Sequence, residues 1–143
     1  MTVCLLLQIK LPATLENLAA FIEPVKSCAE KQGFSQKKIL QIELATEEIL
    51  VNIVNYAYQD HPGYVQIRCS VDDDKRFGIE FEDTGIPFDV LSLDTPDVTA
   101  GISERQFGGL GVFFVRKLMD DVRYYRKGDK NILKISMSGS AET

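Results

Sequence analysis

Between Gly63 and Gly85 the chain alternates twice. Val65, Ile67, Cys69 and Val71 are separated by Gln66, Arg68 and Ser70, and after the charged stretch Asp72 to Lys75 the pattern resumes at Phe77, Ile79 and Phe81. An apolar residue at every second position describes a strand with one dry and one wet face. A four-residue link can only turn the chain back on itself, so the two strands pair antiparallel. Parallel nucleotide-binding sheets require a helix between neighbouring strands, and there is none here.

Other elements fall on either side of this hairpin. Val3 to Leu11 is aliphatic and stops at Pro12, which reads as a strand closed by a turn. Thr14 is placed to cap a first helix, with Leu15, Leu18, Ala19, Ile22, Val25 and Ala29 at helical spacing up to Gly33 and Pro24 inside it. Ser35 is placed to cap a second, longer helix whose apolar stripe is Ile39, Ile42, Ala45, Ile49, Ile53 and Tyr56 and which reaches about Tyr58. His61-Pro62-Gly63 then turns the chain. After the hairpin, periodicity lapses from Ile86 to Phe107, too long for an ordinary connection. Gly108-Gly109-Leu110-Gly111 opens an apolar helix, Val112 to Met119, followed by strands Val122 to Tyr125 and Ile132 to Met137 turned at Gly128-Asp129, with a frayed tail from Ser138. The order βααββ, loop, αββ predicts an α+β two-layer sandwich: one mixed, mostly antiparallel sheet with helices on a single face, in one domain spanning residues 1–143.

Composition narrows the function. At 45% hydrophobic residues the chain can bury a continuous core. Its apolar runs are far shorter than the roughly 20 residues of a membrane span, so a soluble cytoplasmic protein with no membrane partner is expected. The net charge is −5 and Lys and Arg are scattered, which argues against nucleic acid as a partner. Cys4, Cys28 and Cys69 lie far apart and His61 is the single histidine, too few ligands for zinc and no disulfide framework. Reduced, buried thiols are the reading we adopt.

Three short stretches carry chemistry. Glu48 and Asn52 are four apart on the second helix and share one side of it. The amide oxygen of Asn52 suits Mg²⁺, and a half-buried Glu48 could take a proton from a hydroxyl or water attacking a phosphate. Taken alone, the pair fits a solvated helix edge better than a site. Asp83 stands at the end of a strand, where its carboxylate can accept a bond from a ligand amine, and Gly85 permits close approach; a simple turn has the same residues. Gly108, Gly109, Leu110 and Gly111 leave backbone N–H groups uncovered at a helix entry, a cradle for phosphate or else a hinge. The spacing fits neither a Walker nor a Rossmann loop.

In this order and spacing, Glu48-x-x-x-Asn52, Asp83-x-Gly85 followed by Ile86-Pro87-Phe88-Asp89, and Gly108-Gly109-Leu110-Gly111 resemble the N, G1 and G2 boxes of the GHKL, or histidine kinase-like, ATPase superfamily. The segments Asn52 to Tyr58, Asp83 to Asp89 and Gly109 to Val122 are similar to the RsbW-type anti-sigma factors, which are serine protein kinases. The resemblance covers about residues 8 to 137. It implies the Bergerat ATP-binding fold, with ATP and Mg²⁺ as cofactors, Glu48 as general base, Asn52 as the Mg²⁺ ligand and Asp83 as the partner of the adenine amino group. It further implies Gly85 against the base, Gly108, Gly109, Leu110 and Gly111 around the phosphates, and a lid over about 86–107 that carries Arg105 near the terminal phosphate or the partner protein. Two positions depart from the family pattern: Tyr56, where His is common, and the neighbourhood of Asn131, where relatives carry Thr.

The resemblance therefore implies a Mg-ATP-dependent serine kinase and anti-sigma regulator that phosphorylates a STAS-type anti-sigma antagonist, sequesters a sigma factor or other regulator, and forms a homodimer. The rival is a non-catalytic, ATP-gated protein-binding module. A fragment of a sensor histidine kinase or a gyrase-like ATPase is weakened by the lack of a phospho-acceptor helix and by the placement of His61 in a turn.

Overall fold

The computed structural model describes residues 2–58, 61–87 and 115–138. Five strands form one sheet: β1 (Val3–Pro12), β2 (Tyr64–Asp72), β3 (Arg76–Asp83), β4 (Asp121–Lys127) and β5 (Lys130–Ser138). Their order is β1-β2-β3-β5-β4, and every pairing among the described strands is antiparallel. Two helices, α1 (Leu18–Lys31) and α2 (Gln36–Asn52), complete the second layer, with α1 packed on α2, β1 and β2. Residues 115–118 are also helical, the described end of the helix expected over Val112 to Met119. The α+β sandwich is therefore the observed architecture. No helix among the described residues is long and apolar enough to cross a membrane.

Alternation in the sequence becomes a division between faces. Val65, Ile67 and Cys69 of β2, Phe77, Ile79 and Phe81 of β3, and Leu133, Ile135 and Met137 of β5 pair across the strands and join Phe21, Val25, Ile42 and Ile49 of the helices in one buried cluster. The intervening positions form the other face, where Arg68 bonds Glu80 and Glu82 at 3.2 and 3.3 Å and Lys130 lies 3.6 Å from Glu82. The hairpin turn is held by Asp72, whose carboxylate accepts bonds from the N–H groups of Asp74 and Arg76, both at 2.9 Å.

Several element ends differ from the sequence expectation. Thr14 makes no side-chain cap; a 3₁₀ turn, Leu15–Asn17, precedes α1, and the Asn17 amide donates to Pro12 O at 2.9 Å. That bond satisfies the end of β1 and delays the helix to Leu18. Pro24 lies inside α1 without ending it. The second helix changes character at Ile53, and Ile53–Ala57 is a π-helical segment. This wider turn moves the core position from the expected Tyr56, which is half-buried, to Ala57, which is 3% exposed. Ser138 extends β5 opposite Arg76 instead of fraying, and its N–H donates to Asp120 at 2.7 Å.

Ser35 does cap α2, accepting the Lys38 N–H at 3.2 Å. Removing such a cap costs about 1 kcal/mol. Ser35→Ala should therefore lower the unfolding free energy by about 1 kcal/mol, read as a denaturant midpoint that falls by that energy divided by the slope, with the slope unchanged.

Candidate functional site

The last turn of α2 brings two polar side chains to the edge of the core. Asn52 is 2% exposed although it is an amide at a helix end, and Glu48 is half-buried one turn before it. Burial pushes the Glu48 carboxyl above the usual carboxylate range, Glu47 pushes it the same way, and the nearby Asn52 amide opposes both. That approach stops short of a well-formed hydrogen bond: Glu48 Oε2 and both polar atoms of Asn52 are buried without a partner among the described residues. Buried polar groups are nearly always bonded, and leaving one unpaired costs about 1–3 kcal/mol, so three in one place make this the candidate ligand position among the described residues. This observation separates the pair from a solvated helix edge.

The π-helical segment then connects this pair to the end of β3. Ala57 O accepts the Ile86 N–H at 3.0 Å. Gly85 sits so close to Ala57 that an added Cβ would lie 2.2 Å from the same carbonyl oxygen. The close approach expected of Gly85 is thus made to the protein's own backbone. Tyr58, the next residue, donates its hydroxyl hydrogen to Tyr64 O at 2.6 Å and accepts the Thr84 N–H at 2.8 Å. A π-helical turn of this sort is rare and tends to occur at functional positions. Here its geometric effect is to dock the end of the helix onto the Asp83-Thr84-Gly85 turn.

Asp83 is 4% exposed. Its Oδ1 accepts the Gly85 N–H at 2.8 Å and the Asn131 amide at 2.9 Å. Burial raises its proton affinity above the usual carboxylate range; the bonds from Asn131 and Gly85 and the Arg126 charge oppose this without cancelling it, and Glu82 adds to it. The carboxylate is thus fixed in position by neutral donors and by a cation that does not bond it directly. Asn131 in turn accepts from the Tyr124 hydroxyl and from Arg126 Nη1, and Arg126 Nη1 also donates to Gly85 O at 2.9 Å. Tyr58, Tyr124, Arg126 and Asn131 were not singled out as site residues by sequence reasoning. Only Asn131 left a signal, as a departure from the family pattern.

Gly85 and Ile86, beside Asp83, meet the chain at Ala57, five positions after Asn52. Arg105, Gly108, Gly109, Leu110, Gly111 and positions 88–107 of the expected lid lie outside the described residues. Among the described residues no three His, Cys, Asp or Glu gather into a cluster. The donors present, one amide oxygen and one carboxylate, fit a hard cation that completes its shell with phosphate oxygens and water.

Comparison with known proteins agrees with this geometry. The family described as histidine kinase-like ATPase domain matches residues 11–137. Serine-protein kinase RsbW of Bacillus cereus (strain G9842) is 29% identical over 121 residues, covering 82% of this chain and 75% of the relative. The crystal structure of the RsbU and RsbW domains of Rv1364c from Mycobacterium tuberculosis superposes with a TM-score of 0.66 at 15% identity, over 96% of this chain and 32% of that longer one. A chain of the SiaB-SiaC complex from Pseudomonas aeruginosa gives a TM-score of 0.61 at 11% identity, over 93% and 89% of the two chains. At such identities the two structures speak for the fold alone. With the family match spanning most of the sequence, the chain belongs to the histidine kinase-like ATPase domain family.

Proposed function

We propose that this protein is a Mg-ATP-dependent serine kinase of a partner-switching pathway, working in the cytoplasm as a homodimer. It transfers the γ-phosphoryl group of ATP to a serine of a small STAS-type antagonist and, in its unopposed state, holds a sigma factor or comparable regulator. The observation that carries the reading is that Glu48 Oε2 and both polar atoms of Asn52, on one turn of α2, are buried with no partner among the described residues. The naming of the Bacillus cereus relative as a serine-protein kinase supports it.

Phosphoryl transfer asks little covalent help of a protein; positioning and charge neutralisation supply most of the acceleration. Asn52 Oδ1 would hold the magnesium ion, which when bound neutralises phosphate charge. Glu48 takes the proton of the attacking serine hydroxyl at its carboxylate, aided by a proton affinity that burial raises. Asp83 orients the base through its carboxylate, and Gly108, Gly109, Leu110 and Gly111 cradle the phosphates. Arg105, from the segment 86–107 that covers the nucleotide, meets the terminal phosphate or the partner.

Incubating the protein with γ-labelled ATP, Mg²⁺ and candidate small antagonist proteins tests the reading directly. Label on a serine is the expected result. Nucleotide-dependent binding of the antagonist with no label, under conditions where the nucleotide stays bound, would mean that the chain is an ATP-gated binding module and not a kinase.

A further inference from the structure

Cys28 and Cys69 are far apart in the chain and meet where α1 packs against β2. Cys69 stands between Ile67 and Val71 on the helix side of the sheet and is fully buried. Cys28 is half-buried on α1, packed against the same apolar cluster. The two thiols are hydrogen-bonded to each other. The third cysteine behaves differently: Cys4 on β1 is exposed, contrary to the expectation of buried thiols, and its sulfur reaches only Leu5 O at 4.0 Å.

The pair is not symmetric. Burial raises both thiols above the ordinary thiol range. At Cys28 the bond from Cys69 and the charge of Lys31, in the last turn of α1, oppose that rise. At Cys69 the neighbouring Cys28 adds to it. Cys69 is therefore the donor of the bond and Cys28 the acceptor, so Cys28 gives up its proton first. It is also the sulfur that solvent reaches. One approachable sulfur steadied by its neighbour's hydrogen, with the second sulfur hidden behind it, is the arrangement that two successive thiol–disulfide exchanges require.

We propose that Cys28 and Cys69 form a dithiol oxidation site, at which a small disulfide is reduced to two thiols while the chain closes an intramolecular Cys28–Cys69 bond that fastens α1 to β2. The inference is independent of the ATP-binding reading. Cys28 loses its proton to solvent, attacks one sulfur of the small disulfide and expels the other half as a thiolate. Cys69 then loses its proton, attacks the Cys28 sulfur of the mixed disulfide and expels the second half. Two protons and two electrons leave the chain and end on the two small thiols. The new bond closes a loop of about 40 residues, which restricts the unfolded chain more than the folded one. Because α1 also packs on α2, the clamp lies in the layer that carries Glu48 and Asn52.

The test uses the full chain with Cys4→Ser, which leaves Cys28 and Cys69 as its only thiols, and an equimolar amount of 4,4′-dithiodipyridine, a small disulfide whose halves absorb light once released. Both halves should be released from each chain, leaving a product lighter by two hydrogens, without a pyridyl adduct and of unchanged size on gel filtration. Digestion should give one linked peptide pair containing Cys28 and Cys69, and dithiothreitol should reverse the change. The oxidised chain should melt about 5 °C or more above the reduced one. Four results would each overturn the proposal: a pyridyl group that stays on Cys28, a bond between two chains, both thiols still open to alkylation after prolonged exposure, or a linked chain that melts no higher than the reduced one. Cys28→Ser in the same background checks the point of entry. Cys69 should then react only when the chain unfolds, and reaction in the folded variant at the rate of the pair's first release would remove Cys28 from that role and sink the ordered exchange.

Discussion

Glu48→Gln should abolish phosphoryl transfer and, at the same time, raise the melting temperature. Glutamine keeps the size of the side chain and its contact with Asn52 but cannot take a proton. A positioned general base contributes about 10²- to 10⁴-fold, and the rate of serine labelling should fall by that factor. ATP affinity should stay within a few-fold, because Asp83 and Asn52 are untouched. The stability effect follows from the direction of the proton-affinity shift. Burial raises the Glu48 carboxyl above its unfolded value, so the charged form is the one that the fold disfavours. The native state binds the proton first as pH falls, and stability rises through that window, from the raised value down toward about 4.3. Above it the charge remains and so does its cost. Removing the charge at pH 7 should therefore gain about 1–3 °C, an effect kept small because half of the side chain meets solvent. Calorimetric melts at pH 5 and 8 check it: the gain from the substitution should shrink at the lower pH. A variant that still labels serine at the parental rate removes Glu48 from the role of base, and one that is less stable removes the cost assigned to its buried charge.

Gly85→Ala should be the most damaging small substitution near the site. The new methyl would lie 2.2 Å from Ala57 O and 2.6 Å from Ala57 C, and backbone atoms cannot rotate away as a side chain can. Either β3 withdraws from the π-helical segment or the Ala57 to Ile86 bond breaks. Overpacking of this kind costs about 1–3 kcal/mol, and the added loss of the bond places the expected fall in melting temperature at about 5 °C or more. ATP affinity should fall with it, by at least about tenfold, because the displaced turn carries Asp83. Gly78→Ala is the matched control. There the methyl would meet Lys134 Cε at 3.3 Å, the far end of a flexible side chain, and the expected cost is under about 1 kcal/mol. Equal melting temperatures for the two variants would mean that the contact between Gly85 and Ala57 does not hold the turn.

The hairpin and the second helix were legible because each depends on local rules. Residues 65–81 alternate so regularly that register, face and turn all follow, and Ser35 caps α2 as its position suggests. The start of α1 was not legible, since the competition between Thr14 as a cap and Asn17 as an anchor for Pro12 O is decided by where β1 ends in space. The passage from Tyr56 to Ala57 in the core was hidden for a different reason. A stripe at i+3 and i+4 accommodates both residues, and only the docking of Ala57 on Gly85 and Ile86 chooses between them. Glu48, Asn52 and Asp83 could be named from spacing and resemblance. The support of Asp83 by Asn131 could not, because Asn131 lies more than 40 positions further along the chain and meets Asp83 only through the pairing of β3 with β5, while Tyr124 and Arg126 reach Asn131 through the pairing of β5 with β4.

The π-helical segment also dictates where this chain can change length. Four residues, 53–56, separate Asn52 from Ala57, whose carbonyl anchors Ile86. Dropping one of them lets the helix retighten to its usual pitch and swings Ala57 about 100° around the axis, away from its partner. One residue more or less at the hairpin turn, 73–75, is absorbed in open solvent. Length variants selected for growth should therefore accumulate at that hairpin and be missing between Asn52 and Tyr58.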